Sequence, residues 1–322
     1  MKWTRAWTLY LLLGSLMTPL MVFGQDTAPE EAIEDTATPT DEAATTELIQ
    51  PPIERVNPPR EASSFDLEQR YRDLLPAEQF VQLEANGEPF AALWLEQETS
   101  NPQGAVLILH DDGHHQDWPH LVQDLRQYLP AVGWATLSIA LPPEPRPRIP
   151  PRTLNTEEPI PGSAVGSEPD AAHLPTLDAR TEQGVRELMR RGYLNVVVLG
   201  LGSGVHPAAR YMVNIAPNAE GLGFGLVMID ARPQDTSLLM PLFGELTTPT
   251  LDLYTHRDTP FEQAARQRRA AVQRANQATF VQVRDISSST TYRSSPQVVT
   301  RRVWGWLRTN MAGRETDVII NE

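Results

Sequence analysis

The sequence contains no cysteine. That excludes disulfides, thiolate nucleophiles and Cys-ligated metals together, and it excludes a lipid anchor on a cysteine behind a leader. Positive charge is scarce, with 27 Lys and Arg against 41 Asp and Glu and a net charge of −14. Such a balance disfavours nucleic acid and anionic membrane surfaces as partners. Much of the charge is local: residues 25–62 carry ten acids and two bases, −8 of the −14. Histidine is unevenly spread, since seven are present and none follows His256. Apolar runs long enough to cross a bilayer are also lacking. Leu9 to Phe23 is broken by Pro19 and is 15 residues long, short of the roughly 20 that a spanning helix needs.

With Lys2 and Arg5 ahead of it and Val22-Phe23-Gly24 behind it, that run reads as a secretory signal peptide over residues 1–24, cleaved before Gln25. The expectation is a periplasmic or secreted protein with no transmembrane span after cleavage. Residues 25–62 are rich in Thr, Pro, Ala and Glu. They carry too little apolar surface to offset the entropy of ordering, so a disordered acidic tail is expected. Residues 63–311 are then the folded domain and 312–322 a C-terminal tail.

Within the domain, Phe65–Leu75 predicts a short helix. Gln79–Leu83 and Phe90–Leu95 alternate as strands around Asn86-Gly87, a hairpin signal. From Ala105 onward apolar runs alternate with amphipathic stretches. Strands are expected at 105–109, 134–139, 222–229, 249–254 and 279–283, and helices at 121–129, 177–191, 237–246, 261–275 and 298–307. This is an α/β pattern: a mostly parallel sheet of about eight strands with helices on both faces, preceded by an antiparallel hairpin. Leu141 to Pro175 interrupts it with ten prolines and reads as an insertion.

The organising stretch is Asn195 to Tyr211, NVVVLGLGSGVHPAARY. A buried strand runs into a Gly-rich turn and then a helical pattern, the form of a nucleophile elbow. Gly200 and Gly204 are the small residues that let strand and helix approach. The central position is Gly202, which has no reactive atom. Shifting the centre to Ser203 would put Leu201 and Val205 where the turn wants no β-carbon.

Hairpin, βα repeats and elbow together resemble the α/β-hydrolase superfamily over roughly residues 78–310. The blocks Leu107 to Pro142, the elbow and Arg301 to Leu307 are more narrowly similar to an uncharacterised family of exported bacterial proteins, a domain of unknown function. The resemblance implies a nucleophile at Gly202, an acid after the strand 249–254, where Asp258 fits and His256 lies close by, and a base after the last strand. Residues 284–296 hold no histidine. It also implies an oxyanion loop after the strand 105–109, where Asp111 and Asp112 would oppose a developing negative charge. His110, Asp111, Asp112, His114, His115, Asp117 and His120 fall within eleven positions and raise a metal hypothesis, although no helical ligand spacing supports it. His110, Asp111, Asp112 and His206 are the cleft and ligand candidates. Catalysis is left open. The leading expectation is a hydrolase-fold protein without the standard triad, binding or scaffolding a small molecule or envelope component, with no cofactor. The alternative is an ester hydrolase using Ser203, Asp258 and His256, or a metal-assisted site in the 110–120 loop.

Overall fold

A computed structural model describes residues 69, 71–145, 173–214, 223–285 and 296–313. All belong to one compact unit, Pro59–Glu322. The expected signal peptide, the expected acidic tail, most of the Pro-rich insertion and most of the loop after the last strand lie outside the described residues.

Eight strands form one sheet: β1 (Phe80–Ala85), β2 (Glu88–Leu95), β3 (Gly104–Leu109), β4 (Trp134–Ile139), β5 (Asn195–Leu201), β6 (Gly223–Ile229), β7 (Thr250–Tyr254) and β8 (Phe280–Arg284). Their order is β1-β2-β4-β3-β5-β6-β7-β8. The first two strands pair antiparallel, as do β2 and β4, and the remaining pairs are parallel. Asn86 and Gly87 join β1 to β2 with φ of 53° and 80°, the mirror-image turn that suits the twist of a hairpin. The helices are α1 (Leu121–Ala131), α2 (His173–Arg190), α3 (Val205–Asn214), α4 (Thr236–Leu242), α5 (Thr259–Arg274) and α6 (Pro296–Asn310).

Alternation along the central strands builds two cores. Leu107, Leu109, Val196, Val198, Leu226 and Met228 face α2, α3, α4 and the end of α5. Val106, Ile108, Val197, Leu199, Val227, Ile229, Leu251 and Leu253 face α1 and α6. Both faces of each central strand are buried, which is why these strands read as unbroken apolar runs.

One expectation needs correction. α2 starts at His173, so Pro175, assigned above to the insertion, lies in the helix's first turn, where proline costs no hydrogen bond. α5, expected at 261–275 and found at Thr259–Arg274, is joined to the sheet by more than apolar contacts. Its Arg268 is buried and donates from Nε and Nη2 to the Asp252 carboxylate on β7, at 2.9 and 3.1 Å. The neighbours Leu251 and Leu253 face the other core, so Asp252 points at α5, and Gln282 on β8 donates to it as well, at 2.8 Å.

Candidate functional site

Strand register sets out the site before any side chain is considered. Leu109 is paired with Gly200, Leu201 with Ile229, and Ile229 with Leu253. Just past these pairs, Asp111, Gly202, Asp230 and Tyr254 come level along the carboxyl edge of the sheet. That edge is where open α/β sheets place their ligands.

The elbow is built as the sequence suggests. β5 ends at Leu201, a tight turn spans Gly202–Gly204, and α3 starts at Val205. A β-carbon on Gly200 would meet the backbone of Gly204 and Val205 at 2.4–2.6 Å, and one on Gly204 would meet the backbone of Leu109 and His110 at 2.5–2.9 Å. Neither backbone can give way, so the turn closes only with glycine at both places. The positive φ of the elbow falls on Gly202, at +54°. The vertex is therefore residue 202, and Ser203 is the residue after it.

What fills the vertex is the side chain of Asp111. A β-carbon on Gly202 would lie 2.2 Å from Asp111 Cγ and Oδ1 and 2.5 Å from Oδ2. Asp111 Oδ1 accepts the Ser203 N–H at 2.8 Å and the Asp112 N–H at 2.9 Å. Those amides, one following the elbow vertex and one in the loop after β3, are the pair that an oxyanion would use. Arg232, in the loop after β6, places Nη2 2.6 Å from the same oxygen and Nη1 2.8 Å from Glu144 Oε1. Burial opposes the Arg232 charge, but Asp111 and Glu144 outweigh it and hold its pKa above the ordinary value. The site thus carries a built-in anion on its own oxyanion donors, at the amino end of a helix where negative charge is favoured.

The other candidates have definite places. Ser203 Oγ accepts the Asp112 N–H at 2.8 Å, and Asp112 Oδ1 accepts the Glu144 N–H at 2.9 Å. His110 is buried. Its Nδ1 lies 2.8 Å from the Asp111 carbonyl oxygen and its Nε2 accepts the Leu141 N–H at 3.0 Å, so both ring nitrogens are used in tying β3 to the end of β4. Burial above all pushes the His110 pKa down to about 4. His206 on α3 is pushed down to about 4 as well, by burial and then by the Arg210 charge. Asp235, three residues after Arg232, is pushed up to about 6, chiefly by burial.

Asp258 and His256 are not brought together as acid and base. Asp258 is exposed at the N-cap of α5 and makes no capping hydrogen bond with its side chain. The carboxylate beside His256 is Asp230, which the sequence reading missed. Its Oδ1 lies 3.1 Å from His256 Nδ1, out of line for a hydrogen bond. Asp230 adopts a positive φ of 50° and accepts the Thr255 N–H and hydroxyl at 2.7 and 2.8 Å. The His256 ring stacks on Phe261 at 3.9 Å. The signal for Asp230 was an acid directly following a predicted central strand.

The His-rich loop forms local structure instead of a ligand set. Tyr71 O–H meets His115 Nδ1, His114 stacks on Trp118 at 4.1 Å, and Asp117 pairs with the buried Arg126 at 2.9 Å. Among the described residues, no three His, Asp or Glu side chains group as a metal site.

A family model matches residues 8–309. The chain belongs to the family described as protein of unknown function DUF3530. No curated protein matches it. Among solved structures, this DUF3530 chain is similar to the esterase Pf2001 of Pyrococcus furiosus, at 11% identity and a TM-score of 0.51 over 72% of this chain and 92% of that one. It is similar to a dienelactone hydrolase from Anabaena variabilis, at 16% identity and a TM-score of 0.53 over 72% and 97%. It is also similar to a cold-adapted esterase from an Arctic intertidal metagenomic library, at 12% and 0.52 over 72% and 93%. At these identities the likeness establishes the α/β-hydrolase fold alone. Among the described residues, no helix is long and apolar enough to cross a membrane.

Proposed function

We propose that this DUF3530 protein is exported to the periplasm and uses its hydrolase-type cleft to bind a small molecule or envelope component, without serine-based acyl transfer. One observation carries the reading: the Asp111 carboxylate occupies the space of an elbow nucleophile and takes up both oxyanion-type amides. A substrate carbonyl at that point would meet a negative charge instead of hydrogen-bond donors, so a tetrahedral oxyanion would be repelled where a working site attracts it. Ser203 adds to this, because its hydroxyl is held by the Asp112 N–H and, among the described residues, no histidine is paired with it. Export is supported by the charged start, apolar centre and small-residue end of residues 1–24.

The test is incubation of the purified protein with short p-nitrophenyl esters and with a fluorophosphonate probe. No turnover above buffer and no adduct by intact mass are expected. A fluorophosphonate adduct on Ser203 would overturn the reading.

A further inference from the structure

β8 closes one side of the sheet, and among the described residues no strand pairs with its outer edge. Its bonds to β7 tell which residues face outward. Thr250 N–H donates to the Thr279 carbonyl, and Asp285 N–H donates to the Tyr254 carbonyl. The odd-numbered residues of β8 therefore bond inward, and Phe280, Gln282 and Arg284 turn their N–H and C=O groups outward. The strand is in unbroken register and carries no proline, so none of the usual devices that blunt an edge is built into it. Val281, a large apolar side chain, stands 38% exposed there.

We infer that this edge is the interface between two copies of the chain, β8 pairing antiparallel with β8 across a twofold axis at Gln282. The strand is complementary to itself in that register. Phe280 meets Arg284 of the second copy, Gln282 meets its own counterpart, and every outward N–H and C=O finds a partner. Val281 falls opposite Val283 of the second copy at a non-hydrogen-bonded position, where cross-strand side chains come closest. On the other face the Phe280 ring lies opposite the Arg284 guanidinium. The charges of α5 agree. This helix runs antiparallel to β8: Glu262 pairs with Arg284, Gln282 donates to the Ala265 carbonyl, and Arg269 lines a groove with Phe280 and Gln282. The twofold turns the Glu262 end of one α5 toward the Arg269 end of the other, and Arg269 is exposed with no carboxylate on it among the described residues. The chain's own C-terminus does not suit the edge. α6 ends beside Asn195, the first residue of β5, so residues 314–322 leave from the amino end of the sheet and would have to run parallel to β8. α6 shares a face with α1, and the crossover from β3 through α1 to β4 leads toward β1. A crossover over that face in the opposite direction would be left-handed, which sheets avoid.

The experiment is sedimentation and light scattering of the purified protein over a concentration series, and the expected result is a reversible dimer. Arg284→Pro removes an outward N–H that β7 does not use, a place where an edge strand tolerates proline. Each copy then loses its bond to the Phe280 carbonyl of the other, so the dissociation constant should rise at least about tenfold, with the circular dichroism spectrum unchanged. Val281→Lys should weaken the dimer as well, by setting an ammonium against Val283 of the second copy. Disulfides report the register, because the chain has no cysteine of its own. A mixture of Val281→Cys and Val283→Cys should cross-link under mild oxidation much faster than either variant alone, since identical residues are diagonal across the axis and lie at the limit of disulfide reach. A monomer at every concentration overturns the inference. So does a dimer that both edge variants leave intact, or one in which Val281→Cys alone cross-links as fast as the mixture.

Discussion

At the scale of single residues, the cleft is a set of charges that depend on one another. Arg232 is the only cation between Asp111 and Glu144 among the described contacts. Arg232→Gln should destabilise the fold by about 2 kcal/mol, since it strips charged hydrogen bonds from two carboxylates that remain near each other. Denaturant midpoints would measure it, and an unchanged midpoint would remove Arg232 from the account. The titrating groups act in opposite directions. His110 is lowered from 6.5 to about 4 by burial, so between those values the unfolded chain binds more protons and stability falls as pH falls through the window. The span corresponds to something on the order of 3 kcal/mol. Asp235 is raised from 3.8 to about 6, so there the native state binds more protons, and its contribution grows as pH falls. Melting scans between about pH 7 and about pH 4.5 should therefore show a net loss of stability in acid that Asp235→Asn steepens. A shallower loss in that variant would contradict the assignment.

At the scale of elements, the helix α5 is fixed to the sheet by the buried pair of Arg268 and Asp252. Arg268→Leu alone should cost about 3–5 kcal/mol by leaving Asp252 buried and unpaired, while adding Asp252→Leu should recover most of that. Urea unfolding of both variants checks it, and additive losses would contradict it. The sequence pattern predicts this helix but not its buried arginine, because periodicity reveals which positions are buried only when they are apolar. Apolar runs such as Val196–Leu199 and Ala105–Leu109 gave the central strands almost to the residue, and Asn86-Gly87 gave the hairpin. The elbow was legible through its glycines, and the aspartates of the oxyanion loop were visible as an electrostatic oddity. The partners were not. That Asp111 would reach the vertex, that Arg232 would come back from the loop after β6, and that Asp230 would stand beside His256 depend on strand register, and register between distant strands is not written in spacing.

At the scale of the whole molecule, the acidic charge divides between residues 25–62 and the rest of the chain. Residues 25–62 are proposed to lie outside the cooperative fold, so deleting them should shift the melting midpoint by no more than about 2 °C. A larger fall would mean that they pack. Residues 1–24 joined to a reporter active only after export should give a periplasmic signal, and retention in the cytoplasm would contradict the proposed location. The central claim, however, is local: the Asp111 side chain occupies the place of the elbow nucleophile. A double-mutant cycle tests it most directly. Gly202→Ala should cost several kcal/mol in the parent, combining the strain of a positive φ, about 1–2 kcal/mol, with an overpacking clash of about 1–3 kcal/mol against Asp111. In an Asp111→Ala background the clash is gone and only the strain should remain. A coupling of at least about 1 kcal/mol is predicted; strictly additive losses would contradict the account.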